Sequence, residues 1–423
     1  MTDFEHSVRL DSDLCKGCIN CIKRCPTQAI RVRNGKAVII SEFCIDCGEC
    51  IRVCPHHAKL ATYDPLDVLD NYEYKVALPA PSLYAQFNNL DDINIVLSAL
   101  KLMGFDDVYE VSGAAEMVSE MSRRYVADNK DKRPFIGSAC PTIVRLVSIR
   151  FPNLIEHLLP FNAPVDVAAA LARKKAIKDT GLPSDKIGII FISPCPAKVT
   201  ACKKPIGIDK SDVDAVIAIK EVYPVLLPLM KQVVNKPEEL STSGRIGVGW
   251  GNSGGESGGM LTDSYLAADG IENAIRVLED LEDEKFDRLE FIELNACSGG
   301  CVGGVLNVEN PYVAQAKLKH LCKYLPVACN HLDTDYIDGA FLKKPIEYNP
   351  VFNLADNFEE SIAIMSRIDE LCEKFPGLDC GSCGAPTCKA LAEDIVRGEA
   401  SENDCIEILR KYLKDKSKEL EKK

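Results

Sequence analysis

The sequence predicts an α/β protein whose main part rests on mostly parallel sheets flanked by helices, with a cysteine-rich segment at each end. Three observations carry that expectation. Between residues 72 and 346, short apolar runs alternate with stretches of helical periodicity, as in strands connected through helices. Sixteen of the 20 cysteines fall in blocks near the two termini and at or near the ends of central apolar runs. The 423 residues, 46% hydrophobic and 27% charged, match globular composition and a chain of about three domains.

Each apolar run is too short for a helix. KVALPA, DVYEV, PFIGSAC, KIGIIFISPC, AVIAI, RIGVGW and LEFIEL therefore read as buried strands. Helical patterns run from Asp92 to Leu102, Glu116 to Ala127, Val165 to Lys178 and Val222 to Val234. The stretch 241–262 is rich in glycine, which predicts close backbone approach or unusual φ angles. A linker rich in Pro, Asn and Asp, Lys344 to Asn357, precedes a helical segment whose end, KYLKDKSKELEKK, reads as a solvated helix terminus. Fifty basic against 63 acidic residues leave a net charge of −13. That balance argues against nucleic acid or an anionic membrane as partner. No apolar run reaches the roughly 18 residues a bilayer requires, and the N-terminus lacks the apolar core of a signal peptide. A soluble, cytoplasmic protein is expected, its cysteines kept as thiols or metal ligands by a reducing compartment.

The first cysteine block is repeated. Cys15, Cys18, Cys21, Cys25 and Pro26 recur 29 positions later as Cys44, Cys47, Cys50, Cys54 and Pro55. The spacing C-x2-C-x2-C-x3-C-P is that of bacterial two-cluster ferredoxins, in which the fourth cysteine of each block serves the other cluster. A ferredoxin-like α+β domain over residues 1–65 is therefore expected. Cys15, Cys18, Cys21 and Cys54 would hold one 4Fe–4S cluster, and Cys44, Cys47, Cys50 and Cys25 the other. A pair of zinc sites is the alternative, but it gives no reason for the prolines or the crossed pattern. His56 and His57 follow the second block, where they tune or cap the cluster loop.

In the centre, Cys140, Cys195 and Cys297 each follow a predicted strand, and Cys301 comes four residues later. The carboxyl ends of strands are where α/β sheets build their sites. Four thiolates converging there can hold a cubane; buried structural cysteines are the alternative. The surrounding motifs are more specific. GSACP at 137–141, SPCPAK at 193–198 and ELNACSGGCVGG at 293–304 resemble the three cluster motifs of the FeFe hydrogenases, and VALPAPS at 76–82 resembles the opening of their catalytic domain. The resemblance implies a two-lobed catalytic domain over 72–346. It implies that Cys140, Cys195, Cys297 and Cys301 bind the cubane of an H-cluster, with Cys301 bridging to a diiron subsite carrying CO, cyanide and azadithiolate. Lys198 matches the family lysine that hydrogen-bonds an iron-bound cyanide, a task that suits a compact ammonium in a dry cavity; an ordinary surface lysine is the alternative.

Several positions depart from that family pattern. The family usually carries a proton-relay cysteine just before the first cluster ligand, where this chain has Ala139. Ser193 replaces a methionine, Ala201 a glutamate, and Asn295 a methionine, while LLPFNAPVD at 158–166 lacks a relay serine. Ligation is kept while the usual proton delivery is not, which resembles the sensory branches of the family. Glu256, within SGGESGG, and Glu293, at the head of the third motif, are the acids placed to carry protons instead. Glu120 resembles a family relay acid, with Arg123 and Arg124 one turn away to bind it in an ion pair.

Cys380, Cys383 and Cys388, with Cys405 beyond a 16-residue gap, resemble a small iron–sulfur domain found in such proteins, predicting a helical 4Fe–4S domain over 355–423. Zinc would also suit four cysteines there. Cys202, Cys322, Cys329 and Cys372 remain as small buried hydrophobes, Cys202 falling near the central site. The resemblance thus implies four cubanes and one diiron unit. The expected function is the interconversion of H2 with protons and electrons, slow and regulatory, with a ferredoxin-like electron partner or a signalling protein and a homodimer left open. A hydrogenase-like iron–sulfur protein without the diiron subsite is the alternative. An electron-transfer subunit of a larger oxidoreductase would need a flavin or nicotinamide site, and the sequence offers no convincing G-x-G-x-x-G after a strand.

Overall fold

The computed structural model describes residues 6–286, 288–332, 339–355 and 357–421. The chain packs as two compact units. One comprises Met1–Ser7, Ile45–Gly48 and Ala61–Tyr348; the other comprises Val8–Cys44, Glu49–Leu60 and Asn349–Lys423. Apart from Cys47, the cysteines of the N- and C-terminal segments thus share a unit.

In that shared unit, β1 (Val8–Leu10) lies beside β4 (Lys59–Ala61), and β2 (Ile30–Arg33) pairs antiparallel with β3 (Lys36–Ile39). The β2–β3 hairpin turns through Asn34-Gly35 with φ of 50° and 74°, the pair of positive angles that Asn-Gly tolerates best. Gly17 approaches this turn so closely that a Cβ would lie 2.3 Å from the Gly35 carbonyl oxygen. Short helices Asn20–Arg24 and Glu49–Arg52 follow the two cysteine loops. The C-terminal segment contributes helices Phe358–Lys374, Cys388–Val396 and Ile406–Glu421. It joins the N-terminal one through a bond from Val32 N–H to Gly384 O at 2.7 Å. The buried Asp394 carboxylate also accepts from Arg31 Nε at 2.7 Å and from Arg33.

The larger unit contains two parallel sheets. β5 (Tyr74–Pro79), β6 (Asp107–Val108), β8 (Ile187–Ser193) and β9 (Ala215–Ala218) form the first, in the order β6-β5-β8-β9. β7 (Phe135–Ile136), β10 (Tyr265–Asp269) and β11 (Phe291–Asn295) form the second, in the order β10-β11-β7. β8 and the edge strand β9 are continuous apolar runs, every residue of which is buried, as expected where helices cover both faces. Helices Ile93–Met103 and Ile219–Val233 pack on this sheet and on each other, placing Val96, Leu100, Val222 and Leu226 against Ile190 and Ile217. Burying each such side chain is worth about 1.5–3 kcal/mol. The first of these helices starts where Asp92 accepts from Asn94 N–H and stops at Gly104, φ 117°.

Two expectations are corrected. RIGVGW is not a strand; Arg245–Gly249 is a short helix. Its glycines decide this, because a Cβ on Gly247 would lie 2.0 Å from the Ser112 carbonyl oxygen of helix Val111–Asp128. The strand β10 has no counterpart among the sequence-predicted runs, since its half-exposed residues lack a continuous apolar pattern. DVYEV and PFIGSAC are strands only over two residues each. No helix of the described residues is long and apolar enough to cross a membrane.

Candidate functional site

The four central cysteines stand beyond the carboxyl ends of strands from both sheets. Cys140, after β7, is the N-cap of helix Pro141–Arg150, and its carbonyl oxygen accepts from Ile143 and Val144 N–H at 3.0 and 3.1 Å. Cys195, after β8, is the N-cap of helix Pro196–Lys203. Proline opens both helices, where its fixed φ suits the first turn and its missing N–H costs nothing. Cys297 follows β11, and Cys301 opens the turn Cys301–Gly303. Small residues bring these loops together. A Cβ on Gly304 would lie 2.3 Å from the Pro194 carbonyl oxygen, and Leu306 N–H donates to that oxygen at 2.9 Å. The glycine-rich stretch backs the third motif through bonds from Ser253 N–H to Gly299 O and from Val302 N–H to Gly251 O.

Lys198, in the first turn of its helix, lies within the electrostatic reach of all four thiols. Burial alone would lower its pKa, but the charges of Cys301, Cys195, Cys140 and Cys297 outweigh that and raise it. Among the described residues its ammonium donates to the Ala139 carbonyl oxygen at 3.3 Å, while an ammonium carries three donors. Burial pushes the Cys195 thiol up to about 12 against the opposing pull of Lys198, and raises Cys301 as well. Buried thiols of this kind release their protons when a metal binds. Lys198, Cys140 and Cys301 line one cavity with Ala80, Pro81, Ala139, Trp250 and Glu256. Convergent thiols fit an iron–sulfur cubane, and a largely apolar cavity with one under-used ammonium fits a compact anionic ligand beside it.

Glu256 and Glu293 enter the same cavity. Glu293 is anchored, accepting from Asn295 Nδ2 at 2.7 Å, Ser257 N–H at 2.8 Å and Gly254 N–H at 2.9 Å. Burial raises its pKa and these donors oppose the rise. Glu256 has no such anchors among the described residues; burial and the neighbouring Glu293 charge raise its pKa well above normal. Its carboxylate occupies space that a Cβ on Gly137 would take, 2.6 Å from Oε1. Burial thus raises both carboxyls, and the donors that oppose the rise act on Glu293. Glu120 lies elsewhere, bonded to Arg124 at 2.6 Å and to Leu332 N–H at 3.1 Å. Cys202 is buried near Asp166 rather than lining the cavity.

Two acids escaped the sequence reading. Asp46 is buried and accepts from Thr200 Oγ1 at 2.7 Å and Arg145 at 3.3 Å, strapping the two cysteine-capped helices together. Asp166 lines a second cavity with Ser138, Asn162, Ala163 and Ala201, and accepts from Ser211 Oγ at 2.9 Å. Burial pushes its carboxyl up to about 6, opposed by Ser211 and Lys198.

At the N-terminal end, Cys15, Cys21 and Cys50 are buried in one core against which Cys25, Cys44 and Cys54 pack. Backbone N–H groups of Ala29, Ala58 and Ala37 point at the sulfurs of Cys25, Cys54 and Cys15 at 3.2, 3.3 and 3.5 Å. Such donors suit cluster thiolates. At the other end, Cys388 opens its helix after the Thr387 N-cap, and its N–H donates to Asp379 at 2.6 Å. Cys383 and Cys405 share the core of that segment.

Residues 73–266 and 256–305 match the model of the iron-only hydrogenase large subunit, C-terminal domain. The chain belongs to the FeFe hydrogenase family. Residues 7–55 match a 4Fe-4S dicluster domain and residues 375–406 an Fe-S cluster model, so it is an iron–sulfur member of that family. The chain is 24% identical to the NADP-reducing hydrogenase subunit HndD of Solidesulfovibrio fructosivorans, over 49% of itself and 44% of that protein. It is 25% identical to iron hydrogenase 1 of Clostridium pasteurianum, over 69% of itself and 62% of that protein. The chain thus spans less than two thirds of either relative. The periplasmic Fe hydrogenase large subunit of Nitratidesulfovibrio vulgaris is 24% identical over 71% of this chain and 86% of its own. Among solved structures, the apo FeFe-hydrogenase of Chlamydomonas reinhardtii is similar with a TM-score of 0.46 and 15% identity, over 58% of this chain and 83% of that one.

Proposed function

We propose that this hydrogenase-family chain interconverts H2 with two protons and two electrons, slowly, in a sensory or regulatory setting. The observation that carries the reading is the buried Lys198 ammonium, surrounded by four cysteine thiols and facing an apolar cavity with donors to spare. Cys140, Cys195, Cys297 and Cys301 would hold the cubane, and Cys301 would also bridge to the diiron subsite. When bound, that subsite would supply the heterolytic chemistry of hydrogen. Lys198 would hold its anionic ligand in place, while Pro81, Ala139 and Trp250 keep water away. With Ala139 in place of a thiol, Glu256 would carry the proton at this cavity, with the anchored Glu293 beside it. Electrons would leave through the N- and C-terminal clusters to a ferredoxin-like or signalling partner.

A second reading, an iron–sulfur protein that does not load the diiron subsite, draws on Ala139 and Ala201, which remove titratable groups from the two cavities. Anaerobic maturation followed by H2 uptake and evolution assays separates the two readings. Slow turnover in both directions is expected; a chain carrying its cubanes with no turnover, even of hydrogen isotopes, favours the second.

A further inference from the structure

The internal repeat supplies its own control for one residue. The 29-position displacement that brings Cys25 onto Cys54 and Ala29 onto Ala58 also brings Ile30 onto Lys59. Both side chains are 2% exposed. Ile30 does what that burial suits, packing in the apolar core among the cysteines. Lys59 opens β4, and its buried Nζ has no hydrogen-bond partner among the described residues. An ammonium out of water without a counter-charge is expensive, so its neighbours matter. The charge of Lys59 is the largest attraction on the thiols of Cys21 and Cys50, and it also acts on Cys54. Cys21 and Cys54 fall in one expected ligand set and Cys50 in the other. The ammonium therefore acts on thiols of both sets, and bound thiolates and sulfides would supply the missing acceptors.

We propose that Lys59 sets the reduction potentials of the two N-terminal clusters, its buried ammonium favouring the reduced state of each. This rests on the reading that the eight N-terminal cysteines hold two 4Fe–4S clusters. Reduction adds one electron to a cluster, and a fixed cation in a low-dielectric interior stabilises the extra negative charge more than the oxidised state. Hydrogen bonds to cluster sulfur act in the same direction. An isoleucine, as the first repeat carries at this place, would do neither. Lys59 is thus a positioning residue for charge, not a ligand.

The test uses the full-length chain, reconstituted under anaerobic conditions, with Lys59→Met, Lys59→Ile and Lys59→Arg beside the wild type. Iron content is measured first. The N-terminal clusters are then titrated with dithionite and mediators and followed by EPR. The two neutral variants should load fully yet show at least a tenfold lower ratio of reduced to oxidised cluster at fixed potential, a downward shift of about 59 mV for a one-electron couple. Lys59→Arg should stay near the wild type. Unchanged potentials in a fully loaded neutral variant would overturn the proposal. So would loss of the N-terminal clusters from both neutral variants, which would make Lys59 an assembly residue. A wild-type chain without two N-terminal cubanes would instead overturn the reading beneath it, and the proposal with it.

Discussion

Glu256 and Glu293 look alike in sequence, yet the structure gives them different work. Three donors hold Glu293 in place, whereas Glu256 has no such anchor among the described residues and its pKa is raised well above normal. Glu256→Gln is therefore the cleaner variant; Glu293→Gln would also turn an amide N–H toward backbone donors. Glu256→Gln should lower hydrogen turnover at least about tenfold with the clusters intact, as expected for loss of a general acid–base group. An unchanged rate would put proton entry elsewhere. Asp166 gives a pH prediction. Its carboxyl titrates near 3.8 when unfolded and about 6 when folded, so the folded state holds the extra proton between those values. That stabilising contribution is complete below about pH 4 and is lost as pH rises through about 6. Asp166→Asn should therefore match the wild type near pH 4 and exceed it near pH 7, by about 3 kcal/mol at most, in chemical denaturation. Equal pH profiles would contradict the assignment, which places Lys198, Asp212, Cys202 and Ser211 around this carboxyl. The cysteines and Lys198 could be singled out from sequence because metal ligation imposes spacing. Asp46 and Asp166 could not, because nothing local distinguishes an acid that long-range packing will bury.

The strands and helices that position the site follow from local physics where burial is complete. β8 and β9 are continuous apolar runs, β5 and β11 are apolar apart from Lys75, Glu293 and Asn295, and the helix Ile93–Met103 has both its start and stop written in Asp92 and Gly104. Expectation and structure part where glycine governs. Apolar residues in RIGVGW alternate as in a strand, but Gly247 lets the segment press as a helix onto Ser112. Gly247→Ala would force a methyl to 2.0 Å from a backbone oxygen, and no side chain can move aside to relieve it. The variant should lose about 1–3 kcal/mol of stability, the usual range for overpacking, seen as a lower denaturation midpoint. Wild-type stability would show that this backbone contact is not tight. β10 escaped prediction for the opposite reason: its pairing with β11, not its own pattern, makes it a strand.

Composition and cysteine spacing indicated segments at 1–65, 72–346 and 355–423, but not that the outer two share a compact unit. That arrangement rests on Asp394, which pairs with Arg31 and Arg33 from the opposite end of the chain. No pattern in sequence links residues 363 positions apart. Arg31 and Asp394 are nearly inaccessible, at 6% and 3% side-chain exposure. Asp394→Ala should consequently cost about 3–5 kcal/mol, the penalty for stranding a buried charge, and should expose the segment around 375–406 to limited proteolysis. Unaltered protection would mean that the carboxylate does not hold the segments together. The account's central claim concerns the other unit, where four thiols and one buried ammonium are read as the seat of an H-cluster. An infrared spectrum of the anaerobically matured chain, with Lys198→Ala recorded beside it, tests that claim most directly. The wild type should show bands of metal-bound CO and cyanide, in a region where protein does not absorb, and Lys198→Ala should lose them while its 4Fe–4S signals persist. A matured wild type with intact cubanes and no such bands, or a variant that keeps them unchanged, would contradict it.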